Sequence, residues 1–139
     1  EPLQKVLETG VYMIKPNIGE LAKLIGTERL EVSEVEIAAK KLIDKGAAQI
    51  VVVSLGAKGA ILVAKDTTEF VAAPKAEKKS TVGAGDSMVG GMVWALSQNK
   101  PLKEVIQIGV CCGTAATMNE GTQLFKREDV MHLLKGMQE

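Results

Sequence analysis

The chain has 139 residues, enough for one domain that buries a core of its own. Seventeen basic and seventeen acidic side chains cancel, which argues against a nucleic acid or an anionic membrane as partner. Hydrophobic residues make up 46% and aromatics only 3%, which fits an α/β domain; no apolar run approaches the length of a membrane span and the opening residues do not read as a signal peptide, so the expected compartment is the cytoplasm.

Residues 2–9 place Pro2 at a first-turn position ahead of Leu3, Val6 and Leu7 and predict a short helix stopped by Gly10. Residues 11–15 predict a short apolar strand, ended by Pro16 because proline has no N–H for the ladder. Asn17 then caps a helix with Ile18, Leu21, Ala22, Leu24 and Ile25 on its apolar face and Gly26 at its end. Glu20 follows Asn17 by three residues, the spacing of a capping box, so local structure alone accounts for both. Ser33 and Glu36 repeat that spacing ahead of Val35, Ile37, Ala38, Ala39, Leu42 and Ile43, and Gly46 closes this second helix.

Residues 50–55 form the most apolar run and predict a strand covered on both faces. Gly56-Ala57-Lys58-Gly59 turns the chain into a second strand over 60–64, and Asp66-Thr67-Thr68 turns it into a third over 69–72. Residues 75–79 are a charged connector.

The run Ser80-Thr81-Val82-Gly83-Ala84-Gly85-Asp86-Ser87-Met88 continues as Val89-Gly90-Gly91-Met92. Small residues, an acid, then apolar residues at helical spacing predict a tight loop feeding a helix N-terminus. Glycine lets backbone N–H groups approach a ligand closely, and the helix's unpaired donors and positive dipole end favour an anion. An aspartate beside such a hole can serve as base for a group attacking a bound phosphate. The same residues also fit a plain N-capping aspartate after a glycine-rich turn, and spacing does not choose between the two. The dinucleotide fingerprint is excluded because its third glycine would fall on Met88. No Gly-Lys-Ser/Thr ending exists for a Walker A loop.

Met88, Met92, Val93 and Leu96 form the expected core face of the helix near Asp86, with Trp94 as core or interface. Gly90-Gly91 costs about 1 kcal/mol per residue against alanine, which implies close packing on another backbone. Pro101 opens the next helix, running through Val105, Ile106, Ile108 and Val110 to Met118. Cys111 and Cys112 are adjacent and read as reduced core thiols. Asn119-Glu120-Gly121-Thr122-Gln123 forms a loop, and residues 126–137 an amphipathic helix with Val130, Met131, Leu133 and Leu134 inward. His132, the single histidine, belongs on the surface, and no Ser–His or Cys–His pair is visible.

The stretch Ser80 to Val93 resembles the second signature of the ribokinase-like (pfkB-type) carbohydrate kinase family. Its wording is nearest that of the family's phosphosugar kinases, the minor-type 6-phosphofructokinases, 1-phosphofructokinases and tagatose-6-phosphate kinases. The resemblance implies an α/β fold, a three-layer αβα sandwich whose mostly parallel sheet carries antiparallel strands near Ala60 and Phe70. Family members are about twice this length, so the chain corresponds to the C-terminal nucleotide-binding and catalytic part, residues 1–139, without the N-terminal substrate-binding half and its lid.

By the same resemblance, Gly83, Ala84 and Gly85 supply the anion hole and Asp86 the catalytic base. Lys15-Pro16-Asn17-x-x-Glu20 is similar to the family's Asn-x-x-Glu motif, in which Asn17 and Glu20 organise Mg²⁺ through water; Lys15 reaches a phosphate. Ser54, Gly56 and Gly59 line the loop under ATP, Ser80, Thr81 and Val82 follow it, and Thr114 leaves room for adenine. A monovalent cation, K⁺, would be held by carbonyls of Ser80, Val82, Ala116, Asn119 and Gly121. Gln123 departs from the arginine common in close relatives.

The implied reaction, a glycolytic one, moves the γ-phosphoryl of ATP to the primary hydroxyl of a sugar phosphate. Fructose 6-phosphate comes first because of the 119–123 loop; fructose 1-phosphate and tagatose 6-phosphate are the alternatives. The intact enzyme would be a homodimer joined through the lid. For the 139 residues by themselves, the alternative is ATP binding without catalysis.

Overall fold

The computed structural model describes residues 11–74, 84–118 and 127–138. The helix expected over 2–9, the connector at 75–79 and the loop at 119–123 lie outside the described residues. The described chain forms two compact units, residues up to 56 with 60–70, and residues 57–59 with those from 71 onward.

In the first unit, strand β1 (Val11–Ile14) leads through helices α1 (Ile18–Ile25) and α2 (Val35–Asp44) to strand β2 (Ala48–Ser54). Strands β3 (Ala60–Ala64) and β4 (Thr68–Val71) follow, and the sheet order is β1-β2-β3-β4. β1 and β2 are parallel, with Met13 opposite Ile50, and the two helices supply the crossover that a parallel pair requires. β2 and β3 are antiparallel, with Val52 opposite Leu62. The expected antiparallel strand at Ala60 is present, and the described four-stranded sheet combines parallel and antiparallel pairs.

Local signals explain the boundaries. At the start of α1, Asn17 Oδ1 accepts the Glu20 N–H at 2.8 Å and Glu20 Oε1 accepts the Asn17 N–H at 3.0 Å, the reciprocal box. Gly26 ends α1 at φ 82°, while Gly26 N–H bonds Lys23 O and Thr27 N–H bonds Ala22 O, which satisfies the last carbonyls. Gly46 ends α2 in the same way at φ 78°.

The start of α2 differs from expectation. Ser33 is not its cap; it lies inside a 3-10 turn, Val32–Glu34. Glu31 carries the extended backbone of an N-cap, and Glu34 Oε1 accepts its N–H at 2.9 Å. Glu31 and Glu34 share the three-residue spacing of Ser33 and Glu36, and the earlier pair prevails. α2 therefore opens at Val35, which is fully buried.

Leu21, Val35, Ala39, Val51, Val53 and Val63 form one apolar cluster between the helices and the sheet. Val51, Val52 and Val53 are all 0% exposed, so successive side chains on both faces of β2 are covered, as its unbroken apolar run predicts. Each fully buried side chain of this size contributes about 1.5–3 kcal/mol.

The second unit is helical: α3 (Ala84–Ser97), α4 (Leu102–Thr117) and α5 (Arg127–Gln138). α3 ends with Asn99 at φ 56°, a position that normally takes glycine; Asn99 N–H bonds Leu96 O and Lys100 N–H bonds Ala95 O. The packing of α3 on α4 explains half of the Gly90-Gly91 pair. A Cβ at Gly91 would stand 2.6 Å from Cys112 Sγ, whereas one at Gly90 would meet nothing within 4 Å. Gly109 of α4 receives the Met92 side chain in return. These glycines let the two helices approach closely.

Candidate functional site

Because β1 and β2 are parallel, their carboxyl ends lie along one edge of the sheet, where ligands bind in open α/β sheets. The pairing continues past the strands: Ser54 N–H bonds Pro16 O at 3.0 Å, and Asn17 bridges to Ser54. Lys15, Asn17 and Ser54, distant in sequence, thus share one edge, with Glu20 in the first turn of α1 beside them. Asn17 and Glu20 are exposed and Lys15 is half-buried.

The capping box uses Oε1 of Glu20; its other oxygen accepts no hydrogen bond among the described residues. One carboxylate and one amide make a small donor set. That suits Mg²⁺, which keeps most of its waters and draws other oxygens from phosphate. Among the described residues, no cluster of three or more His, Cys, Asp or Glu forms a site closed by protein ligands.

The two glycines of the 56–59 turn have different reasons. Gly56 is exposed at φ 62° with open space where a Cβ would point. Gly59, at φ 115°, is buried against the chain itself: a Cβ would overlap the Val71 carbonyl oxygen and crowd Ala72 and Ala73. Its glycine is required by the fold, whether or not a nucleotide lies nearby.

In the second unit, α3 begins at Ala84, so Asp86 is the third residue of the helix. Asp86 thus lies inside the described helix rather than ahead of it, which departs from the plain N-cap reading. Ala84 and Gly85 head the helix, where backbone N–H groups have no intrahelical acceptor. The Asp86 carboxylate is exposed in that first turn, at the positive end of the dipole. Ser80, Thr81, Val82, Asn119 and Gly121 lie outside the described residues.

Thr114 is buried in α4, and its carbonyl accepts the Thr117 hydroxyl at 2.6 Å. Ala116 sits in the last turn of α4, the end whose carbonyls carry partial negative charge and favour a cation. Cys111 and Cys112 are free, buried thiols, as expected. Burial, with Cys112 adding to it, pushes the Cys111 thiol up to about 12; burial pushes Cys112 up to about 11.

Sequence reasoning missed three features. Ser87, beside Asp86, is 2% exposed, and its hydroxyl has no hydrogen-bond partner among the described residues. Gly113 faces the first turn of α3. A cleft of about 640 Å³ opens between α3, α4 and α5, with Gly90, Ile108, Cys112 and Met131 among its lining and the Lys100–Glu104 pair (3.9 Å) at one end. Trp94 also lines it and is 54% exposed, so it is not a core residue. The unexplained cost of Gly90 was the one sequence signal for this cleft. No predicted site residue lines it.

This geometry belongs to a carbohydrate kinase fold. The model of the pfkB family carbohydrate kinases matches residues 1–129, and the chain is a member of that family. It is 40% identical over 134 residues to ATP-dependent 6-phosphofructokinase isozyme 2 of Escherichia coli, an alignment covering 96% of this chain and 43% of that protein. To 1-phosphofructokinase of Bacillus subtilis it is 36% identical over 130 residues, covering 92% and 43%. Among solved structures, phosphofructokinase-2 from Escherichia coli in complex with potassium superposes with a TM-score of 0.94 at 38% identity, over 99% of this chain and 45% of that one. The fold is the ribokinase-like one, and the chain spans less than half the length of these relatives.

Proposed function

We propose that this chain is the nucleotide-binding and catalytic part of a cytoplasmic kinase that transfers the γ-phosphoryl group of ATP to a hydroxyl of a sugar phosphate. Fructose 6-phosphate is the favoured acceptor. The observation that carries the reading is Asp86 in the first turn of α3, directly after Gly83-Ala84-Gly85, in a member of the pfkB family.

In this reading the N–H groups at the head of α3, with the helix dipole, hold the transferring phosphoryl oxygens while Asp86 takes the proton of the attacking hydroxyl. Charge spreads over those oxygens in the transition state, so fixed donors aimed at them lower the barrier without reorganising. Ser54, Gly56 and Lys15 bind the polyphosphate, and Thr114 borders adenine. Mg²⁺, held through Asn17 and Glu20, supplies neutralisation of the phosphate charge. K⁺ is assigned to Ala116 and the neighbouring loop carbonyls. The preferred acceptor follows the 40% identity to a 6-phosphofructokinase, and the 36% identity to a 1-phosphofructokinase keeps fructose 1-phosphate as second reading.

Calorimetric titration of the chain with Mg·ATP, beside a turnover assay over fructose 6-phosphate, fructose 1-phosphate and tagatose 6-phosphate, tests this. Saturable Mg·ATP binding is expected. Binding without turnover assigns nucleotide recognition to this part and the acceptor site to the rest of the fold; absence of binding refutes the proposal. Where turnover is measured, in this chain or in a longer protein that contains it, Asp86→Asn is expected to lower it by at least ~10²-fold with ATP binding kept.

A further inference from the structure

We propose that Gly113 is a positioning residue: its lack of a side chain sets how deeply the first turn of α3, and with it Asp86, is seated against α4. The inference rests on the reading of that turn as the phosphoryl-binding one. A Cβ at Gly113 would stand 3.2 Å from the carbonyl oxygen of Ala84 and 3.4 Å from Cβ of Met88. Ala84 is the first residue of α3 and lies two positions before Asp86. The nearest neighbour is therefore backbone of the functional turn, which cannot rotate aside as a side chain can.

Sliding of the whole helix does not relieve that contact. Gly91 is already closed by Cys112 Sγ, with 2.6 Å left for a Cβ, and Gly109 is filled by the Met92 side chain. The two helices are thus fitted together at three points along α3, between Ala84 and Met92, a span of about 12 Å at 1.5 Å per residue. Of the three, only Gly113 meets backbone of the Ala84–Asp86 turn. An added methyl there displaces the Ala84–Asp86 turn by a few tenths of an ångström. Where misplacement by 1 Å costs about 10²-fold, such a shift costs about three- to fivefold.

Gly90 provides the control. It lies on the same helix as Asp86, and a Cβ there would meet nothing within 4 Å. Gly90→Ala and Gly113→Ala gain the same intrinsic helix propensity, but only the second touches the turn. Gly109→Ala crowds the Met92 side chain and stands 3.3 Å from the Met88 carbonyl oxygen, beyond the Ala84–Asp86 turn.

The test is an NMR titration of the 139-residue chain with inorganic phosphate, following the Gly85 and Asp86 amides, with urea unfolding midpoints measured in parallel. Gly113→Ala is expected to weaken phosphate binding three- to fivefold without a lower midpoint. Gly90→Ala is expected to keep the parent affinity. Parent affinity in Gly113→Ala overturns the positioning role and leaves the anion-hole reading standing. No saturable shift at Gly85 and Asp86 in the parent chain overturns that reading, and the inference with it. Should Gly113→Ala lower the midpoint or fail to fold, Gly109→Ala decides: affinity unchanged despite reduced stability supports the assignment to Gly113, and an equal loss overturns it.

Discussion

Replacing Ser87 by alanine should stabilise the helical unit, although it removes a polar group next to the proposed base. The hydroxyl is buried, with 2% of the residue exposed, and no partner for it exists among the described residues. A buried polar group left unpaired costs about 1–3 kcal/mol. Alanine also exceeds serine in helix propensity by up to about 0.5 kcal/mol. Against this stands the dispersion lost with one oxygen, a few contacts of about 0.1–0.2 kcal/mol each. The net gain is about 1–2 kcal/mol. Trp94, the single tryptophan, lies on the same helix, so urea unfolding followed by its fluorescence reads the unit directly. The midpoint should rise with an unchanged slope. A fall equivalent to about 1 kcal/mol or more would refute the reasoning, because it would show that the hydroxyl is satisfied in the folded state.

Gly59→Ala should cost about 3 kcal/mol or more, seen as a lost or strongly lowered unfolding midpoint, since its Cβ would overlap the Val71 carbonyl and its φ is 115°; Gly56→Ala, at φ 62° in open space, should cost only about 1 kcal/mol. Asn17→Ala should lose about 1 kcal/mol of stability with the cap, while Asn17→Asp keeps an acceptor for the Glu20 N–H and should stay near the parent midpoint. The thiols of Cys111 and Cys112, raised to about 12 and about 11, stay protonated in the folded chain well above the pH at which unfolded cysteine ionises, about 8.5. Stability is then fully present below that value and falls as pH rises through the window from about 9 to 11, because the unfolded state releases protons first. Urea midpoints measured from pH 8 to 10.5 should decline, and a double Cys111→Ala, Cys112→Ala variant should flatten that part of the decline; a rising midpoint would count against burial as the cause.

The elements that could be read from sequence are those specified by neighbours three or four residues apart. The Asn17–Glu20 box and the terminal glycines at 26 and 46 are such signals, and each appears where its chemistry requires. The same local logic misplaced the cap of α2, because Glu31–Glu34 and Ser33–Glu36 offer equal spacings and the choice depends on how Val35 reaches the core. Gly91, Gly109 and Gly113 look alike in sequence to Gly90, and only their partners on the facing helix separate the close contacts from the open one. Of the two readings of Trp94, core or interface, exposure removes the first, which helical spacing alone does not decide. The adjacency of Asn17 and Ser54 followed only from the parallel pairing of β1 and β2.

The motif proposed as the active site was picked out by resemblance, and its local geometry adds a distinction that spacing could not. Glu20 and Asp86 are both third residues of their helices. Glu20 is long enough to reach back to the N–H of its cap residue, and the 3.0 Å bond commits one of its oxygens to holding α1. Asp86 is one methylene shorter and makes no hydrogen bond or ion pair among the described residues. An N-capping aspartate would spend its carboxylate on the second or third N–H of the helix and compete with any anion for those donors. As the third residue of α3, Asp86 makes no such bond among the described residues, the arrangement that the proposed sharing of this turn between a base and an anion requires. In the proposed reading, a base and an anion hole share one helix turn without neutralising each other.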